Sequence, residues 1–248
     1  MKIPFALAND GGGKLAREYG INGYPSAYLI NARGKVTWAG HPATLNESHI
    51  KEALKGATPG PPATLPKKVA EADKAIAKGE LAKADKILRD ALAAQSLLPE
   101  EKTPVEEALK AIEEGGSSAL AGARERLAAG DVYLALLEFQ EIQTDYGTLA
   151  PGVAAAEEAA AILGDASLAG EIEGGKKNVE AKGLLEKGQY KKAHAAYAAV
   201  AEGFPGTKAG AAAGEEARRI KDEGLYHFNP KCRSCKEIGR ACSKCDRG

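Results

Sequence analysis

The sequence predicts an α/β segment followed by an all-α region and a short cysteine-rich tail, and three observations predict it. Strand-like and helix-like patterns alternate over residues 1–55 only. From Lys67 onward Ala is abundant and aromatics are scarce, the composition of helices packed closely through small side chains. All four cysteines, at positions 232, 235, 242 and 245, fall within the last seventeen of 248 residues. A stretch at 56–66 with four prolines and two glycines reads as a linker. The predicted organisation is therefore an α/β part at 1–55, the linker at 56–66, helices over 67–225 and the tail at 226–248.

Each element has a local reason. Residues 3–8 (Ile-Pro-Phe-Ala-Leu-Ala) form an apolar run suited to a buried strand. Asn9 or Asp10 can cap a helix over 14–19, which Gly20 closes. Ala27-Tyr28-Leu29-Ile30 reads as a second buried strand. The Asn31–Gly34 turn returns the chain along 35–40 as a hairpin partner. Asn46 or Ser48 then starts a helix reaching about Leu54. The order is strand, helix, strand, strand, helix.

The residues Tyr19-Gly20-Ile21-Asn22-Gly23-Tyr24-Pro25-Ser26-Ala27-Tyr28-Leu29-Ile30-Asn31-Ala32-Arg33-Gly34-Lys35-Val36 resemble the cis-proline segment of the thioredoxin-like (redoxin) family. The resemblance covers about residues 2–55 and implies a partial thioredoxin-like fold. It also implies that Pro25 is cis and that Tyr24 and Pro25 face substrate, the backbone at Tyr24 pairing with it as a short strand would. In that family a Cys-x-x-Cys at an earlier helix N-terminus supplies a thiolate for disulfide exchange. No cysteine occurs in the first 231 residues, so no nucleophile carries over. The strands and helix bearing it would precede Met1. The resemblance thus implies a thiol–disulfide oxidoreductase as parent and this chain as an inactive, N-terminally truncated copy. A natural half-fold would leave a bare strand edge and an uncovered apolar face. The setting implied is extracytoplasmic, although Met1-Lys2-Ile3-Pro4 does not open like a signal peptide.

In the helical region, Gly188, Tyr190, Ala193 and Tyr197, with Pro205 eight residues further on, resemble a tetratricopeptide (TPR) repeat. Weaker copies begin at Gly130 (Ala135, Phe139, Ile142, Tyr146) and Gly79 (Leu81, Ala84, Leu88, Ala91). Their spacing exceeds the roughly 34 residues of a standard repeat, so extra helices such as 105–114 or 153–163 are expected between them. The resemblance implies a surface that binds a protein or peptide partner, with Tyr190 and Tyr197 as partner-binding candidates. The alternative is a generic Ala-rich bundle. His41, His49 and His194 have no Cys, Asp or second His at ligand spacing.

The tail carries two Cys-x-x-Cys pairs, Cys232/Cys235 and Cys242/Cys245, separated by six residues. This pattern suits four thiolates around one tetrahedral metal, zinc first. Redox disulfides, an iron–sulfur cluster or an unliganded tail remain alternatives. Lys231, Arg233, Lys236, Arg240, Lys244 and Arg247 would offset the charge of a metal–thiolate centre. Thirty-four basic and thirty-four acidic residues cancel across the chain, so no bias toward nucleic acid or membrane is expected. The tail also lacks interleaved aromatics, and no apolar run approaches the roughly 20 residues of a membrane span.

Overall fold

The computed structural model describes residues 12, 16, 18–21, 23, 25–31, 36–54, 65–229 and 231–245. The chain divides into two compact units, Met1–Pro61 and Pro62–Gly248, a boundary inside the Pro/Gly-rich stretch.

In the first unit, β1 (Ala27–Ile30) and β2 (Val36–Gly40) pair antiparallel, with Leu29 opposite Trp38 and an irregularity after Leu29. Helix α1 (Glu47–Leu54) follows. Its entry is fixed by Asn46, whose Oδ1 accepts from the His49 amide at 3.2 Å. The strand expected at 3–8 lies outside the described residues; of the helix expected at 14–19, Ala16 and Glu18 are helical. The described part is a short α/β arrangement.

The expectation that β1 is buried needs correction, because Ile30 is 46% exposed and its cross-strand neighbour Val36 48%. A two-stranded ribbon has two faces; α1 packs on it and Tyr19 meets Tyr28 of β1 edge-on at 5.2 Å, yet Ile30 and Val36 stay uncovered. Trp38 stacks on His49 of that helix at 5.3 Å between ring centroids.

The second unit is helical: α2 (Ala70–Ala77), α3 (Leu81–Ala93), α4 (Pro99–Ala128), α5 (Val132–Tyr146), α6 (Ala150–Gly164), α7 (Ala169–Glu186), α8 (Tyr190–Gly203), α9 (Lys208–Asp222) and the short α10 (Arg233–Ile238). From α2 to α9 each helix packs on the next except between α6 and α7, which are joined through the short turn Ala166–Leu168, and α3, α4, α5 and α7 also touch the helix two places on. That pattern is a stack of antiparallel hairpins built from local contacts.

One turn recurs. At Gly79, Gly130 and Gly188 the backbone has φ of +76°, +85° and +68°. In each case the amide after the glycine bonds a carbonyl five residues back, as Gln189 N does to Leu184 O at 2.9 Å. The residue that closes one helix opens the next: Gln189 O accepts from Ala193 N at 2.9 Å. Ala84, Ala135 and Ala193, each five residues after its glycine, are completely buried.

The helix expected at 105–114 proves to be part of a single 30-residue helix, α4, which runs through Gly115 and Gly116. Interior glycine disfavours a helix, but here it makes room. A Cβ on Gly116 would lie 2.7 Å from the Tyr146 ring and 2.6 Å from Pro151. The 153–163 segment lies within α6.

Two apolar cores fill the stack. The larger spans α2–α6 around Leu88, Phe139 and Ile142, all fully buried. The smaller joins α7–α9 through Ala181, Ala193, Tyr197, Val200, Ala213, Ala217 and Ile220. Polar clamps tie the two regions. Glu171 of α7 accepts from Lys208 N (2.6 Å) and Ala209 N (2.9 Å), supplying a carboxylate at the α9 N-terminus. Lys208 in turn pairs with Asp131 at 2.8 Å. No helix among the described residues is long and apolar enough to cross a membrane.

Candidate metal centre

Past α9 the chain reverses at Gly224 (φ +68°) and folds back on α8. Leu225 and Tyr226 pack against the smaller core. Phe228 meets Tyr190 edge-on at 5.5 Å, and Tyr226 meets His194 at 4.8 Å. Asn229 then sets the turn into the cysteines: its Oδ1 accepts from Lys231 N (2.9 Å) and its carbonyl from Cys232 N (3.0 Å).

Cys232 is the residue before α10 and Cys235 lies within it. Gly239, at φ +70°, stops that helix and turns the chain back. Ala241 N donates to Gly224 O at 2.8 Å, pinning the second pair to the end of α9. The short spacer is thus one helical turn and a reversal, which is why six residues suffice.

The result brings all four sulfurs together. The Sγ atoms of Cys232, Cys235, Cys242 and Cys245 lie within 4.8 Å of one another. Cys232 Sγ and Cys242 Sγ are 3.7 Å apart. A tetrahedron with metal–sulfur arms of about 2.3 Å has edges of about 3.8 Å, so this separation is that of two ligands of one ion. It is far from the roughly 2.05 Å of a disulfide, and all four thiols are free. Cys235 and Cys242 are buried while Cys232 and Cys245 are partly exposed. Such a set could hold one metal ion.

Hydrogen bonding divides the thiols. The Cys245 backbone N–H, then that of Lys244, pulls the Cys242 thiol down to about 6, with the Cys235 and Cys232 thiols adding donors. The Cys235 thiol, together with burial, pushes Cys245 up to about 12. Cys242 N donates to Cys235 Sγ at 3.3 Å, a backbone donor of the kind that stabilises a thiolate ligand.

The remaining candidates are placed as follows. Tyr24 lies outside the described residues. Pro25 is an exposed bend residue two positions before β1. Tyr197 is buried in the smaller core at 4% exposure, and burial pushes its hydroxyl up to about 12. Tyr190 is half-buried against Phe228. His41 and His49 each accept a backbone amide at Nδ1, from Ala43 and Asn46 respectively.

Sequence reasoning missed Tyr226, Phe228 and Asn229 as the supports of the tail. Asn229-Pro230 is a turn signal, but nothing local marks the two aromatics as partners of α8. No protein-family model matches the chain, and comparisons with curated proteins and with solved structures give no match.

Proposed function

We propose that the chain is a TPR-like scaffold for a protein or peptide partner, its last hairpin clipped by a four-cysteine zinc centre. The observation that carries the metal half is the gathering of four Sγ atoms within 4.8 Å on the end of α9. The ligand set favours zinc, because four thiolates in a closed site suit a structural ion without an open position. The basic residues of the tail offset the negative charge of such a centre. The scaffold half rests on the repeated Gly turn with its buried Ala and on the stacked hairpins that follow from it.

The test is metal content and thiol release. The full chain prepared under reducing conditions is expected to bind one zinc ion, freed when four thiols are titrated with a mercurial. Cys235→Ser, at the buried ligand, should lose the ion. A chain that binds no zinc, or a Cys235→Ser variant that keeps it, would overturn the metal assignment.

A second reading concerns the first unit. Pro25 stands just before β1, and β2 and α1 follow in the order the redoxin resemblance implies. On that reading the unit retains a substrate-facing loop at Tyr24 and Pro25 but has no cysteine of its own to start an exchange. The chain should then fail to accelerate insulin reduction by dithiothreitol. Activity above that of a Cys232→Ser/Cys242→Ser control would sink it.

A further inference from the structure

Charge is segregated along the second unit although the chain is neutral overall. Residues 99–180 carry seventeen acidic and six basic side chains, whereas 181–245 carry seven and thirteen. Elsewhere on the helices cations pair locally, as in Lys74–Glu71, Lys83–Glu80 and Lys86–Asp90. Around the folded-back tail Arg219 still pairs with Glu216 and Glu223, and Arg233 with Glu237, but other cations stand apart. Lys191, Lys192, Lys221 and Arg240 are exposed and have no carboxylate partner among the described residues.

These cations come from three elements, and two of them, Lys191 and Lys221, meet at one aromatic ring. Lys191 Nζ of α8 and Lys221 Nζ of α9 lie 5.5 and 5.7 Å from the centroid of Tyr226. The imidazoles of His194 and His227 each stand edge-on to the same ring at 4.8 Å. Arg240 joins from the tail, its Cβ 3.5 Å from where a Cβ on Gly224 would sit. Phe228, packed on Tyr190, extends the row of half-buried rings. Tyr226 and Phe228 stand at the start of the tail, ahead of its cysteines, and folding against α8 and α9 sets Tyr226 beside the lysines of those helices.

We infer that this surface binds single-stranded nucleic acid, phosphates on Lys191, Lys192, Lys221 and Arg240 and bases against Tyr226 and Phe228. Cations track the backbone and ring faces accept unstacked bases. An acidic peptide would use the cations and leave the rings idle. A duplex keeps its bases stacked away from them.

The experiment is fluorescence anisotropy of the reduced full chain with labelled oligouridylate and oligothymidylate. Four phosphate contacts at about 0.7 counterion each give a log–log salt slope near −2.8, about a 50-fold loss of affinity between 50 and 200 mM salt. Lys191→Glu/Lys192→Glu, both solvent-exposed, should weaken binding and reduce the slope to about −1.4, roughly a sevenfold loss over the same range. Phe228→Leu keeps apolar bulk and removes the ring; it should weaken binding about fivefold or more with the slope unchanged. The uridine and thymidine arms tell an RNA ligand from a DNA one. No binding at 50 mM salt, a double variant that binds like the parent, or displacement of either oligonucleotide by polyglutamate at equal concentration would overturn the proposal.

Discussion

Truncating Tyr197 tests whether the smaller core folds as its own cooperative layer. Only three of its seven buried side chains are larger than alanine, namely Tyr197, Val200 and Ile220. Removing a buried aromatic costs about 3–5 kcal/mol, from lost transfer energy plus the cavity left behind. Alanines at 181, 193, 213 and 217 have no reach to refill that space. A loss of 3 kcal/mol corresponds to about a 150-fold rise in local opening. Native-state amide exchange of Tyr197→Ala, read by peptide mass, should therefore show that acceleration over α8 and α9. The α5 amides, buried around Phe139 and Ile142 in the larger core, should change less than tenfold. Equal acceleration in α5 and α8 would refute the two-layer reasoning. A rise below tenfold in α8 would refute the assignment of Tyr197 as a core residue. Because its ring is spent on packing, loss of partner capture in this variant would report a melted hairpin as readily as a lost contact.

Two further outcomes follow from particular groups. Burial and the neighbouring Lys221 hold the His194 imidazole below its ordinary value. The unfolded chain then binds the proton more tightly, so this contribution is complete above about pH 6.5 and is lost as pH falls through the depressed folded value. Proton NMR of His194 should titrate below a model imidazole, and His194→Gln should remove part of the acid-side destabilisation. The Asp85 carboxylate is 6% exposed and is met by Arg89 Nε at 2.8 Å. Arg89→Ala strands that charge and should cost about 1–3 kcal/mol in chemical denaturation. Lys74→Ala, in a solvent-exposed pair, should cost under about 1 kcal/mol.

The parts legible in the sequence are those whose cause is local. Asn46 caps the helix it was expected to cap, and the Gly turns at 79, 130 and 188 carry left-handed backbone where the pattern placed them. The cysteine spacing suits a four-thiol metal site alongside disulfide and unliganded alternatives, and the fold brings all four sulfurs within 4.8 Å of one another. What stayed hidden depends on distant neighbours. Gly115 and Gly116 look like a helix break, and only the approach of Tyr146 and Pro151 explains why the helix continues. Tyr226 and Phe228 look like residues of a loop, and their roles come from rings on α8. The exposure of Ile30 and Val36 likewise reflects what packs on the ribbon rather than its alternation.

The shared frame at Gly79, Gly130 and Gly188 makes the hairpins interchangeable at their joints. A unit inserted or excised between two such turns meets the same backbone path on both sides and the same alanine seat at the crossing. Gly224 begins that frame with the same left-handed turn, then places Asn229 where the alanine would stand. The same turn thus opens a helix at three places along the array, while at Gly224 it leads into the four-cysteine tail instead.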